Sequence, residues 1–211
     1  MKTVLITGAG RGLGKALAYA FSTAGYRLIL HSNRSLVPAG LGFSIRGNLR
    51  EERVINALER AGSDGVDILI NNAGVYYSGP FENMANGQIE EIIETNLLAP
   101  IFLIKKLLPA LKKSNGLVIN INSIAGKIPA KHEAVYSASK HGLRGFGQSL
   151  RFEGVRVLDI YPGAMQTDMA KTRPNFDKLI YPADVANLVV KLCESAETMQ
   201  IPEINLARSR Y

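Results

Sequence analysis

The feature that most constrains this chain is an alternation that runs from end to end: short apolar, β-rich runs trade places with stretches of helical periodicity. Val4–Thr7, Arg27–His31, Gly42–Ile45, Asp67–Ile70, Leu117–Asn122, Val155–Tyr161 and Glu203–Leu206 read as strands. Between the first two, Leu13, Ala16, Leu17, Ala20, Phe21 and Ala24 recur at three- and four-residue spacing, an apolar helical stripe closed by Gly25. Further helices are expected around 50–61, over Gln88–Lys113 with a kink or break at Pro100 or Pro109, over His132–Glu153 and over Pro182–Ala196. Strands separated by helices pair in parallel, because a parallel neighbour needs a long crossover. The expectation is one α/β domain over residues 1–211, a doubly wound parallel sheet of about seven strands with helices on both faces. No repeat, low-complexity tract or linker divides it.

Composition narrows the function. Of the 211 residues, 46% are hydrophobic and 20% charged, which suits a packed core and excludes disorder, collagen and coiled coil. The net charge of +7 favours anionic partners, and an anionic cofactor satisfies it as well as nucleic acid does. Basic residues are dispersed, with no run longer than Lys105-Lys106 or Lys112-Lys113, so nucleic acid is not an expected partner. The one cysteine, Cys193, forms no internal disulfide and reads as a small buried hydrophobe. No apolar run approaches a membrane span, and the start is too short in apolar residues for a signal peptide. A soluble, cytoplasmic protein without a metal site is expected.

The first strand-to-helix turn is Thr7-Gly8-Ala9-Gly10-Arg11-Gly12-Leu13-Gly14. Glycines there let backbone approach a pyrophosphate, whose charge a helix N-terminus stabilises. A glycine pattern alone is weak evidence; the flanking strand and amphipathic helix strengthen it. Asn71-Asn72-Ala73-Gly74 follows a buried strand, whose end faces the ligand crevice in a doubly wound sheet. Ser123 ends another strand, and Tyr136 and Lys140 stand four apart on the next helix, on one face. A lysine ammonium beside a tyrosine favours the phenolate, so the Tyr136 pKa is expected to fall from about 10 towards neutrality. That would make a reusable proton donor near physiological pH.

Together these residues resemble the short-chain dehydrogenase/reductase family. The motifs are Thr7-Gly8-x3-Gly12-x-Gly14, Asn71–Gly74, Asn96, Ser123-x12-Tyr136-x3-Lys140 and Pro162-Gly163-x3-Thr167, in the family's order over almost the whole chain. The resemblance implies a Rossmann-like fold, a nicotinamide cofactor and reversible carbonyl–alcohol chemistry. It further implies that Tyr136 protonates the carbonyl oxygen, and that Lys140 holds the nicotinamide ribose and tunes Tyr136. Ser123 would hydrogen-bond the substrate oxygen, and Asn96 would support a water relay through a kink in its helix. Gly8, Arg11, Gly12, Leu13 and Gly14 would bind the cofactor from the loop. Asn72, Ala73 and Gly74 would line its adenosine side, and Pro162, Gly163 and Thr167 its nicotinamide.

Charge selects between the two nicotinamide cofactors. NAD-binding proteins of this fold place an acid after the second strand, on the ribose 2′-OH. Here the stretch is Leu28-Ile29-Leu30-His31-Ser32-Asn33-Arg34-Ser35, without Asp or Glu. Asn33 and Arg34, with Arg11, would meet a 2′-phosphate, so NADP is expected. The leading function is NADP-dependent interconversion of a ketone or aldehyde and an alcohol. The alternatives are reduction of 3-oxoacyl thioesters on an acidic carrier and a catalytically idle NADP-binding sensor or scaffold. Val75, Tyr76, Tyr77, Lys127, Ile128, Lys131, His132, Met165 and Gln166 are candidate pocket residues; His31 and His141 read as structural. Compared with the family, the chain is short between Arg34 and Phe43, between Tyr136 and Pro162, over the brief lid Asp168–Tyr181 and at Glu203–Tyr211. A homodimer or homotetramer is expected through the Gln88–Lys113 and His132–Glu153 helices, where Pro109 and Leu150 would otherwise be partly exposed.

Overall fold

Side chains alternate across a strand with period two, so a strand covered on both sides is apolar at every position. The first strand shows this: Val4 and Ile6 face one core, Leu5 the other, and all three are fully buried. The computed structural model describes residues 1–194 and 199–208. Its strands are β1 (Thr3–Ile6), β2 (Arg27–Ser32), β3 (Phe43–Arg46), β4 (Ile68–Asn71), β5 (Leu117–Ile121), β6 (Arg156–Pro162) and β7 (Glu203–Leu206). They form one sheet in the order β3-β2-β1-β4-β5-β6-β7, with every neighbouring pair parallel.

Helices α1 (Gly12–Thr23) and α6 (Pro182–Cys193) cover one side, through Leu13, Leu17, Phe21, Val185 and Val189. Helices α2 (Glu52–Ala61), α4 (Ala99–Lys113) and α5 (Ala134–Phe152) cover the other, through Val54, Leu58, Leu103, Leu107 and Leu150. This is a doubly wound, Rossmann-like sheet. From β1 the chain steps outward to β2 and β3, then returns to place β4 on the other side of β1. Strand order reverses there, and a crevice opens at the carboxyl ends of β1 and β4.

The differences from the sequence reading have local causes. The expected long helix begins at Asn86 as α3 (Asn86–Ile93) and passes through a π-helical turn, Glu94–Leu98, into α4. Neither proline breaks it. Pro109 lies inside α4, and Pro100 directly follows the π-turn, so its missing N–H falls within the continuous helix. The irregularity falls instead at the π-turn, where the Ala99 N–H reaches back five residues to the Glu94 carbonyl. Helix α5 starts at Ala134 rather than His132, because His132 takes a left-handed backbone (φ +66°). Residues 33–42 join β2 to β3 without a helix, as their length requires. Leu150 is buried, so it contributes nothing to an exposed patch. The expected helix end at Ala196, and Ser209, Arg210 and Tyr211 of the expected short C-terminus, lie outside the described residues.

Candidate active site

The glycine turn is welded to the end of β4. Thr7 Oγ1 accepts the backbone N–H groups of Asn72 and Ala73, each at 3.0 Å, and donates to the Ile70 carbonyl at 3.3 Å. Asn72 Nδ2 donates to the Thr7 carbonyl at 2.8 Å and to that of Gly8 at 3.3 Å. Gly8 needs a left-handed backbone (φ +71°). At Gly14 a Cβ would stand 2.1 Å from the Gly8 carbonyl oxygen, so only glycine lets α1 come this close to the turn. Leu13 is packed into the core, which leaves only its backbone for a ligand. The first turn of α1 contains no acid, and Arg11 caps it without a side-chain hydrogen bond. The positive helix end is therefore available to an anion.

His31 supports this turn from beneath. Its buried ring accepts the Gly8 N–H at Nδ1 (3.3 Å) and donates from Nε2 to the Gly47 carbonyl (2.9 Å). These partners require the neutral ring, and burial pushes its pKa down. Around the end of β2 the side chains are cationic. Asn33 and Arg34 are exposed, and Arg46 donates to the Asn33 carbonyl (3.3 Å) and the Arg34 carbonyl (3.1 Å). Arg46 was missed in the sequence because only the β2–β3 register brings it there. Arg11 Nη1 lies 3.5 Å from Asp168 Oδ2. Opposite charge draws it to the segment after β6.

The residues expected to handle protons converge on α5 and the β5 end. Tyr136 and Lys140 are both buried, and Ser123 is hydrogen-bonded to the Tyr136 hydroxyl. Lys140 Nζ donates to the Ile121 carbonyl at 2.9 Å and lies 5.9 Å from the centre of the Tyr136 ring. The expected drop in the Tyr136 pKa does not occur: burial pushes it up to about 12. Desolvation outweighs the opposing pull of the Ser123 hydrogen bond and the Arg173 charge, and burial also pushes the pKa of Lys140 down, to about 8. Asn96, 1% exposed, sits in the π-turn. Its Oδ1 accepts the Val75 N–H (2.8 Å), and its Nδ2 donates to the Val75 carbonyl (2.9 Å) and to Ser139 Oγ (3.2 Å). Ser139 Oγ donates in turn to the Tyr136 carbonyl at 2.7 Å. Sequence reasoning missed Ser139, which ties Asn96 to the tyrosine's helix. Pro100 has no N–H for the Asn96 carbonyl four residues back, so the normal helical partner of that carbonyl is missing.

Gly163 at the end of β6 donates its N–H to the Leu206 carbonyl at 2.8 Å, and Thr167 meets the glycine turn at Gly12. Beside α5 a cleft of about 330 Å³ is lined by Tyr77, Phe81, Met84, Lys131, His132 and Val135, among others. Three candidate pocket residues are otherwise engaged. Lys127 pairs with Glu203 at 2.6 Å and stacks on Tyr161, Gln166 donates to the Asp177 carbonyl, and Met165 packs on the core. His141 is structural, bonded to the Ser137 carbonyl at 2.9 Å. Burial pushes the Cys193 thiol up to about 12, which suits an inert side chain. Among the described residues no helix is long and apolar enough to cross a membrane, and no cluster of three His, Cys, Asp or Glu could hold a metal ion.

The arrangement has close counterparts. Residues 2–178 match the family model for short chain dehydrogenases. The chain is 34% identical to the ketoacyl reductase HetN of Nostoc sp., over 97% of this chain and 79% of that protein. It is 35% identical to the 3-oxoacyl-[acyl-carrier-protein] reductase FabG of Vibrio cholerae, over 81% and 76% of the two chains. Among solved structures, an alcohol dehydrogenase from Thermococcus sibiricus complexed with 5-hydroxy-NADP superposes with a TM-score of 0.92 at 26% identity, covering 100% of this chain and 97% of that one. A metagenomic short-chain oxidoreductase in complex with NADP gives 0.82 at 30% identity, over 100% and 98%. With its glycine turn on β1, its tyrosine and lysine on α5 and a family match over most of its length, this chain belongs to the short-chain dehydrogenase/reductase family of oxidoreductases.

Proposed function

We propose that the protein is an NADP-dependent reductase that converts a ketone or aldehyde to an alcohol. The observation that carries this reading is the convergence of the part-buried Ser123 with the buried Tyr136, Lys140 and Asn96 at the crevice that the glycine turn borders. The residues present fit a dinucleotide. Gly8, Gly12 and Gly14 open the backbone, Thr7 and Asn72 hold it, and the acid-free start of α1 meets the pyrophosphate. Ala73 and Gly74 would line the adenosine side, and Pro162, Gly163 and Thr167 the nicotinamide. Arg34, with Arg46 behind it, answers a 2′-phosphate better than a hydroxyl, and Arg11 joins them by leaving an exposed ion pair that is worth little.

The nicotinamide group, when bound, supplies the hydride. Ser123 donates a hydrogen bond to the substrate carbonyl oxygen, and Tyr136 gives that oxygen its proton. A phenol whose pKa stands at about 12 keeps its proton at neutral pH, yet an alkoxide is a stronger base and takes it readily. Lys140 holds the ribose and restores the proton to Tyr136, with a water on the Asn96 carbonyl as its supply. A 3-oxoacyl thioester is a second substrate reading, favoured by the names of the reductases this chain is similar to and by its net charge of +7. The protein is read as a cytoplasmic homodimer or homotetramer, joined through α4 and α5, where Phe102 is 51% and Phe152 94% exposed.

The test is NADPH and NADH oxidation against a panel of carbonyl compounds, with binding titrations of both cofactors. NADPH should bind more tightly, and Arg34→Asp should weaken it far more than NADH. Tyr136→Phe should retain cofactor binding and lose about 100- to 10,000-fold in turnover. Wild-type turnover by Tyr136→Phe overturns the mechanism, and equal losses for both cofactors in Arg34→Asp overturn the assignment of Arg34.

A further inference from the structure

The segment between β6 and α6 crosses the mouth of the crevice and is anchored at two places, of which the scheme above leaves the second unused. Asp168 meets Arg11 at one of them. At the other, Arg173 Nη2 donates to the Tyr76 hydroxyl oxygen at 3.2 Å and to Glu133 Oε1 at 3.4 Å. The Tyr76 O–H itself donates to the same Glu133 oxygen at 2.6 Å. The Arg173 guanidinium lies 6.0 Å from the centre of the Tyr76 ring. That ring stands edge-on to the ring of Tyr136, with centres 5.0 Å apart and planes at 88°. Three segments distant in sequence therefore meet at the catalytic tyrosine: the chain after β4, the start of α5 and the strap after β6.

We propose that Tyr76, Glu133 and Arg173 form a specificity-determining clasp, which fastens the strap over Tyr136 and confines the site to compact carbonyl substrates. The geometry gives the reason. A bulky group next to the reacting carbonyl would have to displace the Tyr76 ring. The displaced ring breaks a short hydrogen bond to a carboxylate whose side chain is only 11% exposed. Glu133 then loses one of its partners and Arg173 loses the hydroxyl that helps to hold it, so the strap loosens with the ring. Loss of a hydrogen bond to a charged acceptor corresponds to about ten- to a hundredfold in relative affinity. Arg173, 46% exposed, can be replaced at little risk to the fold.

The selection of substrates rests on the carbonyl-reductase reading; closure of the strap does not. Amide hydrogen exchange over residues 163–181 therefore tests the clasp in the free protein, without substrate or cofactor. Arg173→Met, Glu133→Gln and Tyr76→Phe should each speed exchange there by about fivefold, and Arg173→Met/Glu133→Gln should be no faster than either single variant. Unchanged exchange overturns the clasp, whatever the enzyme reduces. Turnover of a matched pair of ketones, one small and aliphatic and one with a bulky aryl group, tests selection. Arg173→Met should shift kcat/KM about tenfold towards the bulky ketone, chiefly through KM, and Arg173→Lys should restore part of the preference. An unaltered ratio overturns the selection. If no carbonyl compound is reduced, the functional reading fails and the exchange result still decides whether the clasp exists.

A pH profile adds a readout that loosened packing alone would not reproduce. Tyr136 is faced by Ser123 from the β5 end, by Glu133 and Lys140 on its own helix or its cap, by Tyr76 after β4 and by Arg173 from the strap. Glu133 raises the proton affinity of Tyr136 and Arg173 lowers it. Glu133→Gln should therefore move the alkaline limb of kcat to lower pH, and Arg173→Met to higher pH. Shifts in the same direction overturn the arrangement.

Discussion

Replacing Asn96 by aspartate changes almost no volume and reverses one side of its hydrogen bonding. The native amide accepts from the Val75 N–H at 2.8 Å and donates to the Val75 carbonyl at 2.9 Å and to Ser139 Oγ at 3.2 Å. Each bond of this kind contributes about 1 kcal/mol net, so Asn96→Ala should cost roughly 3 kcal/mol. Aspartate keeps the bond from the Val75 N–H but sets a carboxylate oxygen against the Val75 carbonyl. It also faces a serine hydroxyl whose proton is already given to the Tyr136 carbonyl at 2.7 Å. At 1% exposure water gives that charge little help. Asn96→Asp should therefore cost at least as much as Asn96→Ala at pH 7, despite its shape. In thermal unfolding both should lower Tm by about 6–12 °C, from about 2–4 °C per kcal/mol for a domain of this size. An aspartate variant within about 1 kcal/mol of wild type in urea unfolding would refute the reasoning, because it would mean that the amide's donors do not hold the loop after β4.

Three other outcomes follow from buried groups. The His31 pKa is lowered from 6.5, so the folded protein resists a proton that the unfolded chain accepts. The contribution is whole above about pH 6.5 and falls as pH drops towards the folded value, at about 1.4 kcal/mol per pH unit; His31→Gln should remove that slope from urea unfolding between pH 5 and 7. Gly14→Ala would set a methyl group 2.1 Å from the Gly8 carbonyl oxygen, so it should destabilise by about 1–3 kcal/mol and abolish dinucleotide binding in a titration. Arg151→Met leaves the fully buried Asp159 without its ion pair at 2.9 Å; a loss of about 3 kcal/mol at pH 7 is expected in denaturant melts. Since burial already raises the Asp159 pKa, that deficit should shrink as the pH falls and the carboxyl takes up a proton.

The parts of the site that were legible in the sequence are those fixed by local chemistry. Gly8 and Gly14 announce a tight turn because their own backbone needs require glycine, and the stripe from Leu13 to Phe21 announces the helix that follows. Tyr136 and Lys140 are one helical turn apart on any α-helix, so their shared face was readable in advance. The electrostatic consequence was not. Whether a lysine lowers a tyrosine's pKa depends on how much water both lose, and here burial moves Tyr136 the other way. Residues whose roles come from distant neighbours were likewise hidden. Ser139, Arg46, Glu133 and Arg173 look like ordinary polar side chains in the sequence, and only the packing of separate segments gives them partners.

The sequence by itself determined the alternating elements, the parallel sheet and the position of the glycine turn, since period-two and period-3.6 apolar patterns are properties of neighbouring residues. It also determined that a cation rather than an acid follows β2. Tertiary structure alone decided what holds the irregular turn of the helix before β5. The sequence pointed to Pro100 and Pro109 and, through the resemblance, to a kink at Asn96; the fold makes it a π-turn whose Asn96 amide is fastened to Val75 and Ser139 on other elements. It also decided that Arg11 meets Asp168 and that Arg173 meets Glu133 and Tyr76. Long side chains on loops have no preferred partner until the fold brings one within reach, and the charge opposite them then chooses the contact.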